Sequence, residues 1–283
     1  MFQSIHQHRM CLICALVAAS MPIGSTAPAA EPHAFPFFAF DNGVGRDVGM
    51  KPAEQAAILA ELGYQGIGYT GVKNIPEMLA ALDARGLKMF STYIPVNLAP
   101  DAEPYDCDLP KAIEELKSHK TALWIHLHGG KSPSEELDDR AVAVIREIAG
   151  MAEKSGLQVV LYPHVGFYVS NNADALRVVK KVNRKNVGTS FNLCHFLKQQ
   201  DEAEMERVIK ESLPYLMLVS VNGADSGDTR NMSWDRLIQT LDRGTFDVGR
   251  LLRLLETVGY QGPIGLQCYA IKGDIRDNLK RSK

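Results

Sequence analysis

Four apolar segments of this chain end in imidazole, phenol or amide side chains: ALWIHLH at 122–128, VVLYPH at 159–164, NVGTSFNLCH at 186–195 and LMLVSVN at 216–222. Each reads as a buried strand that carries its polar residues to a common face. Those residues are His126 and His128, Tyr162 and His164, Asn192 and His195, and Asn222. Of the eight histidines four stand at these ends, while three lie at or before residue 33, a grouping that favours a shared site over scattered core histidines. Imidazole near neutral pH both accepts and donates protons, and a neighbouring carboxylate fixes its tautomer. His195 with Asp225 is one acid/base pair this arrangement suggests; His164 with His126 or His128 is another. The plainer alternatives are satisfied core or loop histidines and, for Asp225, a solvated loop acid or helix cap.

The elements that must position these groups repeat along the chain. Phe35–Phe40 is an apolar strand running into the polar turn Asp41-Asn42-Gly43, and Met50–Leu62 has helical apolar spacing closed by Gly63. Strands follow at 65–69, 88–94, 121–128, 158–162, 187–192, 215–222 and 264–269, with helical segments at 75–85, 109–117, 135–154, 173–182, 202–213 and 247–258 between them. Most strands are continuous apolar runs, the pattern of a parallel sheet buried on both faces. Eight strands alternating with helices favour closure into an α/β (β/α)8 TIM barrel over an open doubly wound sheet. The open sheet also lacks its glycine fingerprint after the first strand. In such a barrel the site lies where the strands end, at Asp41, Tyr69, Tyr93 and Gln267 as well as the residues above. The long segment 223–246 is expected to fold over the barrel mouth with Trp234 as an anchor.

With 46% hydrophobic and 23% charged residues over 283, the chain can bury one large core. A formal net charge of −2 without basic clusters gives no footprint for nucleic acid or an anionic membrane surface. Residues 1–29 have a weakly basic start, an apolar stretch from Cys11 to Ala19 and the small residues Ala27-Pro28-Ala29. That order is a cleaved signal peptide leading to the periplasm or the exterior, and it leaves 30–283 as the mature barrel domain. The remaining Cys107, Cys194 and Cys268 are odd in number and lack disulfide-framework spacing, so free and mostly buried thiols are expected. Cys194 precedes His195 directly, but adjacent strand residues face opposite ways, which argues against a nucleophile pair.

The chain resembles the xylose isomerase-like barrels, which include sugar phosphate isomerases and epimerases, ketose 3-epimerases and endonuclease IV-type enzymes. The resemblance rests on the strand order, on Gly63-Tyr64-Gln65-Gly66-Ile67, on Asn192-x-x-His195, on Asn222-x-x-Asp225 and on Gly259-Tyr260-Gln261-Gly262-Pro263-Ile264. It implies a divalent-metal site built from Glu, Asp, His and Glu on the fifth to eighth strands. Here those positions fall on Tyr162, Asn192, Asn222 and Gln267. Every implied ligand is replaced by a neutral group, so the inherited site is expected to bind Mg²⁺ or Mn²⁺ poorly. Amides keep the shape and hydrogen bonding of the acids they replace, which suits a neutral, hydroxyl-rich ligand.

What survives of the catalytic set the resemblance implies is His195, with Asp225 in the place of an acid that supports a metal ligand from behind. The expected reaction is proton transfer next to a carbonyl of a sugar or oxidised sugar, by isomerisation, epimerisation or elimination. His195, His164 and Asp225 would be catalytic, and His126, His128, Tyr162, Asn192, Asn222 and Gln267 would bind substrate. No metal is expected. The alternative is a replacement Mn, Co or Zn site made from His126, His128, His164 and His195, since alternation puts the first two on one face. A different class of function, a catalytically silent carbohydrate-binding barrel, would use the same amides and aromatics.

Overall fold

The computed structural model describes residue 1, residues 35–130 and residues 137–283. The leader reading for 1–29 and the proposed boundary at residue 30 lie outside them, as do the first residues of the helix expected from 135. The compact unit Ala34–Lys283 is a closed barrel of eight parallel strands in sequential order. They are β1 Phe37–Phe40, β2 Gly66–Thr70, β3 Lys88–Asn97, β4 Ala122–His128, β5 Gln158–Leu161, β6 Val187–Asn192, β7 Leu216–Val221 and β8 Ile264–Leu266, and β1 pairs with β8 to close the ring. Helices α1 Pro52–Glu61, α2 Ile75–Asp83, α3 Leu109–Glu115, α4 Asp138–Lys154 and α5 Asn172–Val182 fill the first five crossovers. The sixth holds α6 Leu193–Gln199 and α7 Met205–Ser212, and the seventh α8 Trp234–Leu237 and α9 Val248–Thr257; α10 Ile275–Lys280 follows β8. Among the described residues no helix is long and apolar enough to cross a membrane.

The strands bury both faces because each separates two apolar layers. Outward residues such as Ile67, Leu123, Ile125, Leu127 and Val159 pack with the helices. Inward residues form an aromatic column of Phe38, Phe40, Trp124, Val160, Tyr162 and Leu218, joined by Phe90 and Tyr93. Phe40 on β1 stacks on Trp124 on β4 with ring centroids 4.6 Å apart, a contact between strands three apart that only the barrel interior permits. Two glycines make room for it. Gly68 is the register partner of Phe40, and a Cβ there would lie 2.3 Å from the Phe40 ring; a Cβ on Gly265, the partner of Phe38, would lie 2.6 Å from both phenylalanines. The column plugs the barrel and provides a rigid floor for whatever sits above it.

Two elements differ from the sequence reading. Strand β3 runs past Pro95 to Asn97, because β2 ends at Thr70 opposite Tyr93 and leaves β3 paired on the β4 side alone. A missing N–H is tolerated on such an unpaired side. The stretch after Asn192 is not strand but the first turn of α6, so Cys194 and His195 are helical and strand alternation does not govern them. Burial pushes the Cys194 thiol up to about 12, which leaves it inert, and the three described cysteines are free, Cys107 exposed and the other two buried.

Candidate functional site

Above the aromatic floor, at the C-terminal ends of the strands, lies a cleft of about 560 Å³. Its walls include Asp41, Asn42 and Arg46 after β1, Thr70 on β2, Tyr93 on β3 and Trp124 on β4. Tyr162, His164 and Val165 follow β5, His195 sits on α6, Trp234 and Ile238 come from the long seventh crossover, and Gln267 and Tyr269 follow β8. The volume suits a small organic ligand, and the lining of aromatic faces with convergent polar groups is what such sites use. The crossover segment does reach the mouth, where Trp234 packs edge-on against His195 with ring centroids 5.4 Å apart.

Four side chains and one backbone amide wire the β5, β6 and β8 ends to the turn after β1. Gln267 Oε1 accepts from Asn42 Nδ2 (2.8 Å) and from the Tyr269 amide (3.0 Å), so the end of this amide that meets Tyr162 is its donor. The Tyr162 hydroxyl is hydrogen-bonded in turn to His195 Nε2, 2.8 Å away. The other ring nitrogen of His195, Nδ1, is buried without a partner. Burial, followed by the His164 charge, holds His195 well below the usual imidazole range, and burial pushes the Tyr162 phenol well above its own. Both groups are therefore neutral near pH 7.

His164 is differently placed. Its Nδ1 lies 2.8 Å from the Val165 carbonyl, which can only accept, so Nδ1 donates and the lone pair is left on Nε2. The ring is partly exposed, stacks on Phe167 at 4.0 Å and lies 4.1 Å from the His195 ring. Burial lowers its pKa, so the ring is a neutral base. Of the two described histidines that line the cleft, His164 has the open basic nitrogen; His195, the stronger candidate by sequence, is engaged with Tyr162.

On the other side, Asp41 is 2% exposed. Its Oδ1 accepts from Thr70 Oγ1 (2.8 Å) and Arg46 Nη1 (3.0 Å), while Oδ2 is buried with no partner. Burial raises Asp41 to about 6 although Arg46 and Thr70 pull it down. Arg46 is further held by Thr70 (2.6 Å) and Asp47 (2.7 Å), on a short turn between Gly45 and Gly49, both with positive φ. Neither Arg46 nor Thr70 was singled out by sequence, and Asp41 was noted only as a strand-end residue. The available signal was an acid closing the first strand with an arginine five residues later.

Five other residues expected at the site do not line this cleft. Asn192 does not line this cleft: it is 1% exposed, its Nδ2 donates to Pro163 O and Ser190 Oγ, and its Oδ1 accepts from Ser220 Oγ. Asn222 is wholly buried and clamps the seventh crossover by donating to Gly223 O and Leu237 O. Asp225 pairs with Arg236 at 2.7 Å, which lowers its pKa, and stands away from the cleft lining, so it is not the partner of His195. His126 and His128 also lie outside that lining. His126 Nδ1 hydrogen-bonds Tyr93 Oη at 2.9 Å, and burial drops this imidazole to about 3.

The donor set does not fit the divalent ion that the resemblance implies. Tyr162 stays a neutral phenol, and the Asn192 and Gln267 oxygens are committed to hydrogen bonds; Asn222 Oδ1 is the one oxygen among these groups without a partner. A dication wants anionic oxygen, and these positions offer none. Nor do His126, His128, His164 and His195 bring three ligand atoms within 4.8 Å of one another. Among the described residues the group that does is the exposed Asp106, Cys107 and Asp108.

A family model described as xylose isomerase-like TIM barrel matches residues 56–283. No curated protein matches the sequence. Among solved structures, the 3-keto-D-glucoside 4-epimerase of E. coli superposes with a TM-score of 0.68 at 15% identity, covering 88% of this chain and 97% of that one. The D-allulose 3-epimerase of Methylomonas sp. gives 0.68 at 14% identity, covering 90% and 97%. The probable 3-DHS dehydratase of Bacillus anthracis gives 0.69 at 14% identity, covering 87% and 96%. At such identities the likeness is one of fold.

Proposed function

The chain belongs to the xylose isomerase-like TIM barrel family, and from that premise we propose that its cleft binds a neutral sugar or oxidised sugar and moves a proton at the carbon next to its carbonyl. The observation that carries this reading is His164: a neutral imidazole in the cleft wall with its Nδ1 fixed by a backbone carbonyl and its Nε2 free. Such a nitrogen abstracts an acidic C–H proton without first having to lose one of its own.

The rest of the lining supports the reading. Trp234, 38% exposed at the cleft mouth, offers a flat surface for the C–H face of a sugar ring, while Trp124, held by a 2.9 Å hydrogen bond from its Nε1 to Ser190 Oγ, is part of the floor beneath it. The Gln267, Asn42 and Tyr162 network supplies polar partners for hydroxyls. Charge that develops on the carbonyl oxygen needs preorganised positive or donor groups, and Arg46 is the one guanidinium or ammonium among the described lining residues. No step is routed through a metal, since the donor set does not fit one. We also propose that residues 1–29 export the protein, so that its substrate is a free or oxidised saccharide met outside the cytoplasm.

The test is incubation in deuterated water with D-allulose, D-tagatose, L-ribulose and a 3-keto-D-glucoside. Proton NMR follows loss of the signal at carbons next to the carbonyl. The reading predicts exchange with at least one of these, reduced about 10²–10⁴-fold in His164→Gln for the sugar whose proton this imidazole takes. Sugars that raise the melting temperature yet exchange no proton would instead establish the silent carbohydrate-binding barrel.

A further inference from the structure

Among the described lining residues Asp41 is the one acidic side chain, and neither the family positions nor the histidine cluster accounts for it. It follows β1, while His164 follows β5. In a closed ring of eight strands in sequential order, β1 and β5 are four strands apart in either direction, so the two groups stand on opposite walls. A ligand held between them meets one proton-transfer group on each face.

We propose that Asp41 is the second acid/base residue of this cleft, acting on the substrate face opposite His164, so that the reaction inverts configuration at the carbon next to the carbonyl. The inference rests on the proton-transfer reading above and narrows it from isomerisation, epimerisation or elimination to epimerisation.

The local geometry leaves one carboxylate oxygen buried without a hydrogen-bond donor. Thr70 and Arg46 both bind Oδ1, which fixes the carboxyl plane and leaves Oδ2 without a partner. A buried polar atom left unsatisfied is costly and calls for a partner, which a bound ligand would supply. A carboxyl held by burial near 6 populates both protonation states around neutral pH, as an acid/base group requires. Its surroundings are Arg46 and Asp47 from the turn after β1 and Tyr69 and Thr70 from β2.

In the step itself, one group takes the proton from the carbon next to the carbonyl. The C–H electron pair becomes the new C=C bond, and the carbonyl π pair moves onto oxygen. The group on the opposite wall then gives its proton to the other face of that carbon, and the C=O bond re-forms. Substrate and product have the same atoms and oxidation state; the two residues have exchanged protonation states, and solvent resets them.

Removing one group of such a pair stops inversion but leaves the other able to take and return a proton on its own face. The experiment compares wild type, Asp41→Asn and His164→Gln in deuterated water, with each sugar of the panel and its epimer as separate starting materials. Wild type is expected to interconvert the epimers and deuterate both. Asp41→Asn should epimerise at least 10²-fold more slowly yet still deuterate one epimer, and His164→Gln should deuterate the other. If Asp41→Asn fails to fold, as read by circular dichroism, Thr70→Val removes one Oδ1 hydrogen bond and should slow exchange of the same epimer selectively.

Asp41→Asn that epimerises like wild type, or that loses exchange of both epimers equally while folded, overturns the inference. So does wild type that deuterates a single epimer without inversion. Wild type that exchanges nothing overturns the proton-transfer reading itself, whereas wild-type exchange with an indifferent Asp41 overturns this inference alone.

Discussion

A carboxyl kept for chemistry at the expense of the fold leaves a thermodynamic trace, and Asp41→Asn should reveal it without any substrate. Burial raises Asp41 from an ordinary 3.8 to about 6. Between those values the folded protein holds a proton that the unfolded chain has released. Stability therefore falls as pH rises from about 4 to about 6, and above about 6 the whole penalty is present. A shift of roughly two pKa units corresponds to about 3 kcal/mol. Solvent screening does not reduce this much, because the side chain is 2% exposed.

Asparagine carries no charge to desolvate and can still accept from Thr70 and Arg46 through its oxygen. It places an unpartnered amide N–H₂ where Oδ2 was, at a cost of about 1 kcal/mol. Arg46 keeps Asp47 as its counter-ion. Near pH 8 the variant should thus be more stable than wild type by about 1–2 kcal/mol, and near pH 4 less stable by about 1 kcal/mol. The swing of roughly 3 kcal/mol corresponds to roughly 6–12 °C in the difference of melting temperatures for a domain of this size. Thermal and urea denaturation of both proteins across that range measures it. A difference that does not change with pH, or one that favours wild type more as pH rises, would refute the claim that Asp41 is buried against its own charge.

Four further outcomes follow from the geometry. If Asp41 and His164 work as a pair, the active form has one of them protonated; because His164 is neutral near pH 7, that proton must be on Asp41, and the epimerisation rate should fall as pH rises through about 6. Tyr162→Phe leaves His195 Nε2 buried without a partner and should cost about 1–3 kcal/mol in urea denaturation, with circular dichroism unchanged. Gly265→Ala drives a methyl group to 2.6 Å from the rings of Phe38 and Phe40 and should cost about 1–3 kcal/mol by overpacking the barrel interior, read by the same denaturation. Mn²⁺, Co²⁺ and Zn²⁺ should leave the melting temperature unchanged, since an ion bound by the folded cleft at 100 times its dissociation constant would add about 2.7 kcal/mol.

The barrel was legible because its signals are local: Gly63, Gly86 and Gly156 follow helices with positive φ, and uninterrupted apolar runs mark strands buried on two sides. Its misjudged ends have tertiary causes. Pro95 reads as a stop, yet β3 continues where it has lost a neighbour, and the run to His195 reads as strand, yet α6 begins after Asn192. The site was legible in part. Tyr162, His164, His195 and Gln267 do line the cleft, because polar residues at strand ends point where the fold puts its mouth. Asn192, Asn222 and Asp225 have the same sequence signature but spend their polar atoms on Ser220, Leu237 and Arg236, and sequence cannot distinguish a spent amide from a free one. Asp41 escaped for the opposite reason: its importance lies in burial and in one unpartnered oxygen, which depend on Thr70 from the next strand.

The central claim is that this family member moves protons with its own side chains in place of a divalent ion. The most direct measurement is deuterium wash-in by wild-type protein, before and after exhaustive chelation, with the sugar it exchanges fastest. The account predicts equal rates in both preparations and no gain when Mn²⁺, Co²⁺ or Zn²⁺ is restored. Exchange that disappears on chelation and returns with the ion would contradict it.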